Sequence, residues 1–251
     1  MTTTEAGDGS GNEDSLHSEQ AEDAAAVAAT ARGPTGMHVE QLVPGLWRWT
    51  GRPNQGKHDV ACTYYETADG VCLIDPFVPP EAREVFLDAL ARDVDRLGGP
   101  VHVLLTTFRH ARSARELVER YGACLWAPSR ARAAVERRTG PVDRLFRPGD
   151  GLPGGLQALA SGRGAEVVFW LPAARTLVVG DVMLGQDGGG LRLCPESWLP
   201  TGWTHARLRH ALRPLLGLPV ERVLVSHGEP IRGGGSSALR ELLREPGPAG
   251  R

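Results

Sequence analysis

Short apolar runs recur from about residue 38 to residue 243, and their period changes along the chain. Val39, Leu42, Leu46, Trp47 and Trp49 mark a strand pair broken at Pro44-Gly45. Runs over Val60 to Thr67 and Gly70 to Pro76 flank Ala68-Asp69-Gly70, a turn signal that predicts a hairpin. Pro79-Pro80-Glu81 opens a helix to Leu97, with Val85, Leu87, Leu90, Val94 and Leu97 as its expected buried stripe. The segment Val101 to Pro128, VHVLLTTFRHARSARELVERYGACLWAP, reads as strand, polar loop, helix and strand. Its loop, Thr107 to Ser113, leaves the C-terminal end of a buried strand, where α/β proteins place their chemistry.

The second half repeats the alternation with shorter pieces. Ser129 to Arg138 predicts a short helix, and Phe146 to Gly155 is rich in turn residues. Strands are expected over Leu156 to Ala160, Glu166 to Leu171 and Thr176 to Gly180. Gly185 to Gly202 reads as a long irregular loop with Trp198 in it, of the kind that serves as a lid. Thr204 to Leu216 predicts a helix, Arg222 to Ser226 a buried strand, and Ser237 to Leu243 a closing helix.

Composition sets the limits. The chain has 251 residues and is 41% hydrophobic, enough for one sizeable core. A net charge of −2 gives no electrostatic case for nucleic acid or an acidic membrane. No run approaches the ~20 apolar residues of a membrane span. Cys62, Cys72, Cys124 and Cys194 form no C-x-x-C pair and read as thiols of a reducing cytoplasm. Residues 1–37 hold seven acids, one arginine and no aromatic residue, which predicts a disordered acidic leader. One domain over 38–244 and a loose tail over 245–251 complete the expected organisation.

Candidate chemistry stands at strand ends. Asp75 closes VCLIDP, Asp181 closes TLVVGD and His227 closes VLVSHG. Together with the loop after Leu105 they predict a shared site on one sheet edge. No G-x-S-x-G elbow and no G-x-x-x-x-G-K-[ST] phosphate loop is present. His58-Asp59 is a weak ligand pair beside the expected site. His102 on its strand reads as structural, and His205 and His210 do not have ligand spacing.

The ordered motifs LIDP, VLLT, ERYGA, GRGAEVVFW, LVVGD and SHGEP resemble the metallo-β-lactamase fold superfamily over residues 38 to 243. That resemblance implies an α/β fold, an αββα sandwich of two mixed sheets between helices. It also implies one or two metal ions, mostly zinc, and hydrolysis of thioesters, β-lactams, lactones or phosphodiesters, with redox chemistry in some members. The family motif H-x-H-x-D-H falls on Thr107, Arg109, Ala111 and Arg112, and a further family histidine falls on Arg163. Asp181 matches the metal-bridging carboxylate, His227 the last histidine, and Asp75 an aspartate behind the ligands. His110 lies between the motif positions.

Three arrangements follow from this pattern. Arg109, Arg112 and Arg163 could form an anion pocket where the family holds cations. They could instead pair with Asp75 and Asp181 or face solvent. Or His110, Asp181 and His227 could bind one divalent metal, zinc foremost, so that the cofactor is either that ion or none. The expected function is hydrolysis of a small anionic ester, thioester or lactone by His110, Asp181 and His227, with the arginines orienting it. The alternative is a non-catalytic protein that binds an anionic metabolite.

Overall fold

The computed structural model describes residues 31–32, 37–53, 58–68 and 70–244. The expected leader other than 31–32 and 37, the tail, Asp69 at the hairpin tip and residues 54–57, between Gly51 and Val60, lie outside them. Strands β1 (Ala31–Arg32), β2 (His38–Val43), β3 (Leu46–Gly51), β4 (Val60–Thr67) and β5 (Gly70–Ile74) pair antiparallel in chain order. Pairing therefore starts ahead of His38, because Ala31 and Arg32 align with Val39 and His38. Strands β6 (Val101–Leu104), β7 (Cys124–Pro128) and β8 (Arg144–Phe146) extend the same sheet in parallel. Helices α1 (Arg83–Leu97), α2 (Ala114–Tyr121) and α3 (Arg132–Thr139) make the crossovers that parallel neighbours require.

The second sheet is built from β9 (Gln157–Ala160), β10 (Val167–Leu171) and β11 (Thr176–Val179), all antiparallel. A hairpin of β12 (Met183–Gly185) and β13 (Leu191–Leu193) follows, then α4 (His205–Leu212). Strand β14 (Arg222–Val225) returns to lie parallel to β11, and α5 (Gly235–Leu243) closes the fold.

Alternation along the strands divides the core into three layers. In β10, Val167, Phe169 and Leu171 point between the sheets, where they meet Leu46, Ile74, Leu104 and Phe146. Val168 and Trp170 face the other way, against Leu208 and Leu212 of α4 and Leu239 of α5. In β6, Val103 faces Leu87, Leu90, Leu117 and Val135 of the first three helices. Strands buried on both faces explain the continuous apolar runs in the sequence. The result is the αββα sandwich that the family resemblance implies. Among the described residues no helix is long and apolar enough to cross a membrane.

Four local expectations are revised. Val85 is 69% exposed. It lies two residues before the fully buried Leu87, hence about 200° round the helix from it. Arg144–Phe146 adds an unforeseen edge strand. The segment expected to be irregular from Gly185 to Gly202 contains β13 and a 3₁₀ turn at Glu196–Trp198. The helix expected to reach Leu216 ends at Leu212, and Arg213–Gly217 continues as 3₁₀ around Pro214. Pro214 cannot donate the backbone bond that continues the α-helix.

Phe169 is fully buried between the sheets, its ring 5.7 Å from that of Phe146. Phe169→Ala is expected to lower stability by about 3–5 kcal/mol, read as a shift in the urea midpoint with unchanged m.

Candidate metal centre

Parallel pairing of β5 with β6 and of β11 with β14 brings the C-terminal ends of all four strands to one edge of the sandwich. The two sheets are tied there by backbone bonds from Val167 N to Thr106 O (2.9 Å) and from Ala61 N to Ser226 O (2.9 Å). Asp75 turns out of β5 with a left-handed φ of 51°. Its carboxylate accepts from Thr106 N at 2.8 Å and Thr106 Oγ1 at 2.6 Å. His110 reaches the same carboxylate through a 3₁₀ turn, Phe108–His110. The turn sends Arg109 outward and His110 inward, placing His110 Nδ1 2.8 Å from Asp75 Oδ2.

The other ring nitrogen, His110 Nε2, lies 3.1 Å from Asp181 Oδ1. His227 Nε2 lies 3.6 Å from that same oxygen, and its Nδ1 is 3.3 Å from the carbonyl of Asp59. A carbonyl can only accept, so Nδ1 of His227 carries the proton and Nε2 the lone pair. By the same logic Asp75 holds the first proton of His110 on Nδ1. Three donor atoms thus converge on one point, with mutual separations no greater than 4.8 Å. Metal–ligand distances near 2.1 Å in a tetrahedral set imply ligand separations of about 3.4 Å, close to the 3.1 and 3.6 Å found. Two imidazoles and a carboxylate are also an ordinary donor set for zinc. The donor types suit one divalent cation, and the imidazole–imidazole separation, bounded at 4.8 Å, is the one that would have to close around it.

Charge follows the same geometry. Burial alone would lower the His110 pKa, but the charge of Asp75 and hydrogen bonds to Asp181 and Asp75 raise it. Both carboxylates therefore favour the protonated form of the ring. Burial would raise Asp181, yet the His110 hydrogen bond and the charges of His110, His227 and Arg163 hold it down at about 2. His227 is lowered by burial, which outweighs its attraction to Asp181. It stays neutral and able to ligate.

The loop carrying His227 is clamped from three strands. Gly185 N bonds His227 O at 2.9 Å, Ala61 N holds Ser226 O, and Arg48 Nη2 donates to Gly228 O at 2.9 Å. A cleft of about 800 Å³ opens on His227, bordered by Arg52, His58, Asp187, Arg192 and Trp198. His58 lines this cleft and is absent from the converging donor set.

The structure does not bring the three predicted arginines together. Arg109 is exposed, its guanidinium 5.5 Å from the Phe108 ring. Arg112 donates to the carbonyls of Ala61 (3.1 Å) and Asp75 (3.0 Å), joining the ends of β4 and β5. Arg163 pairs with Glu166 at 2.6 Å, with both side chains largely buried. Sequence reasoning missed Glu166, whose only signal was an acid opening an apolar strand. It also accepts from Val182 N at 2.8 Å, beside Asp181, and burial lifts its pKa to about 7 against the pull of Arg163. Thr106 and Arg48 were missed as well.

The sandwich and this converging edge define a metallo-β-lactamase-type protein. A family model described as metallo-beta-lactamase superfamily matches residues 40–245, and the chain belongs to that superfamily. Among solved structures, it is similar to a metallo-beta-lactamase from Pontibacter korlensis (20% identity, TM-score 0.62, 82% of this chain and 98% of that one). It is also similar to the metallo-beta-lactamase IND-7 (16%, TM-score 0.62, 84% and 99%). DIM-1 metallo-beta-lactamase exposed to ceftazidime matches at 15% identity and TM-score 0.61, covering 82% and 96%. At these identities the likeness establishes the fold. A comparison with curated proteins matches none.

Two outcomes follow from the buried polar cluster. Asp75→Ala leaves Thr106 N and His110 without their acceptor and is expected to cost about 3–5 kcal/mol, measured by urea unfolding at pH 7. Asp181 titrates near 2 in the folded chain against 3.8 ordinarily. Its contribution is thus present above about pH 4 and lost as pH falls toward 2. In metal-free protein, Asp181→Asn should flatten the decline of stability over that interval, read from urea midpoints at each pH.

Proposed function

We propose that this protein is a single-metal hydrolase in which His110, Asp181 and His227 hold one divalent ion, zinc foremost, beside the Trp198 cleft. The observation that carries this reading is the convergence of His110 Nε2, Asp181 Oδ1 and His227 Nε2 on one point. Asp75 and the Asp59 carbonyl hold the two rings in the tautomers that direct their lone pairs there. Such an ion supplies a Lewis-acidic position and a bound water of lowered pKa. The chain's own residues do the rest. Asp75 raises the basicity of His110 through Nδ1. Asp181 is ionised throughout the neutral range and keeps its charge between the two imidazoles. The buried walls around His110 and Asp181 exclude bulk water and strengthen every charge interaction inside.

The substrate class is a small ester, thioester or lactone with a negative charge. Arg192 on β13 lines the cleft and has no ion-pair partner among the described residues, whereas Arg52 is committed to Asp59 at 2.9 Å. Arg192 is therefore the cation available to the substrate's charge, and exposed Trp198 offers an apolar face beside it. Arg112 and Arg163 do not line this cleft, and their protein partners make them supports of the site.

Elemental mass spectrometry on tag-free protein grown with zinc, iron and manganese should find about one equivalent of metal. His227→Ala should lose it, and the loaded protein should turn over anionic ester or thioester substrates that the variant leaves intact. Absence of metal from the wild type, or full retention by His227→Ala, would overturn the metal assignment. Stoichiometric metal without turnover would leave a non-catalytic binding protein.

A further inference from the structure

Arginines from three loops surround a second hollow on the same edge of the sandwich. It measures about 750 Å³, and His110, Asp181 and His227 do not line it. Arg130 follows β7, Arg147 follows β8, and Arg163 lies between β9 and β10. The inner wall is apolar, formed in part by the buried Phe146 and Val167. Glu166 is the one acid among the lining residues, and it is already committed to Arg163 and to Val182 N. Asp150 accepts from the backbone N–H of Arg147 and does not line the hollow.

Arg130 and Arg147 have no ion-pair partner among the described residues. A β-carbon added to Gly164 would lie 3.1 Å from Arg130 Nη1, so this guanidinium reaches across to the loop that carries Arg163. Arg163 uses Nη1 for Glu166, which leaves other N–H groups of its fork for a ligand. Guanidinium groups gathered over an apolar wall repel one another until an anion separates them. With Glu166 ionised, three cations against one carboxylate leave two positive charges. A dianion balances that excess and a monocarboxylate does not.

We propose that this hollow binds the phosphate group of a small phosphorylated molecule, with Arg130 and Arg147 supplying forked hydrogen bonds and Arg163 the inner charge. The assignment is independent of any metal at His110, Asp181 and His227.

Titration calorimetry on the full chain, kept metal-free with chelator and at low ionic strength, tests it with inorganic phosphate as probe. Arg130 and Arg147 are exposed, so the double variant Arg130→Ala/Arg147→Ala keeps the fold, which its melting temperature verifies. Arg163 is left intact because its removal would strand buried Glu166. Wild type should bind phosphate, the double variant at least about tenfold more weakly, and His227→Ala as wild type does. Acetate should bind at least about tenfold more weakly than phosphate. Equal phosphate affinity in wild type and the double variant would overturn the proposal. So would no phosphate binding by wild type, or binding lost in His227→Ala but kept in the double variant.

Discussion

A single buried contact, Asp75 Oδ2 with His110 Nδ1 at 2.8 Å, decides what the candidate site can do. It fixes which nitrogen of His110 faces Asp181, and in the neutral ring that nitrogen carries the lone pair. It also anchors the start of the loop after β6, since the same carboxylate takes both the N–H and the hydroxyl of Thr106. The strained backbone of Asp75 (φ 51°) is tolerated because those bonds over-determine it. Arg112, also at positive φ, donates to the Asp75 carbonyl and locks the turn from outside.

Charge at this edge is shared between two recesses. Where the superfamily motif would place three histidines and an aspartate in the loop after β6, this chain has Thr107, Arg109, Ala111 and Arg112. Those arginines did not become one anion pocket. Arg109 faces outward, Arg112 serves the backbone, and Arg163 is partnered by Glu166 beside Asp181. Arg163 therefore lends positive charge to Asp181 from a fixed position, which a mobile surface arginine could not do. Burial keeps Glu166 near its protonation point, so the neutral and charged forms of that pair are close in energy. His227 brings the donor cluster to the Trp198 cleft, and Arg130, Arg147 and Arg163 line the hollow beyond β7 and β8.

The sandwich was legible in the sequence because both sheets are buried on both faces. Such strands must be continuous apolar runs, and the polar residue that ends each run marks the edge where the sheets stop covering one another. Asp75, Asp181 and His227 stand out for that reason. The hairpin β12–β13 and the edge strand β8 were not legible. Each spans three residues, and Asp187-Gly188-Gly189-Gly190 and the turn-rich run after Phe146 carry no period of their own. Glu166 was hidden by its neighbours, since a charged residue at a strand start ordinarily faces water.

From the sequence alone come the class of fold, the superfamily resemblance and the strand-end residues, all properties of local pattern and chain order. Only the tertiary structure decided that His110 belongs with Asp181 and His227 while Arg109, its neighbour in the chain, does not. A 3₁₀ turn separates the two, and its direction is set by the Asp75 carboxylate from a different strand. Protonation states were likewise undecided by residue type. They depend on burial and on partners brought together from 71 residues apart for His110 and Asp181 and from 168 apart for His227 and Asp59. Such long-range contacts exist only once the two sheets have closed on each other.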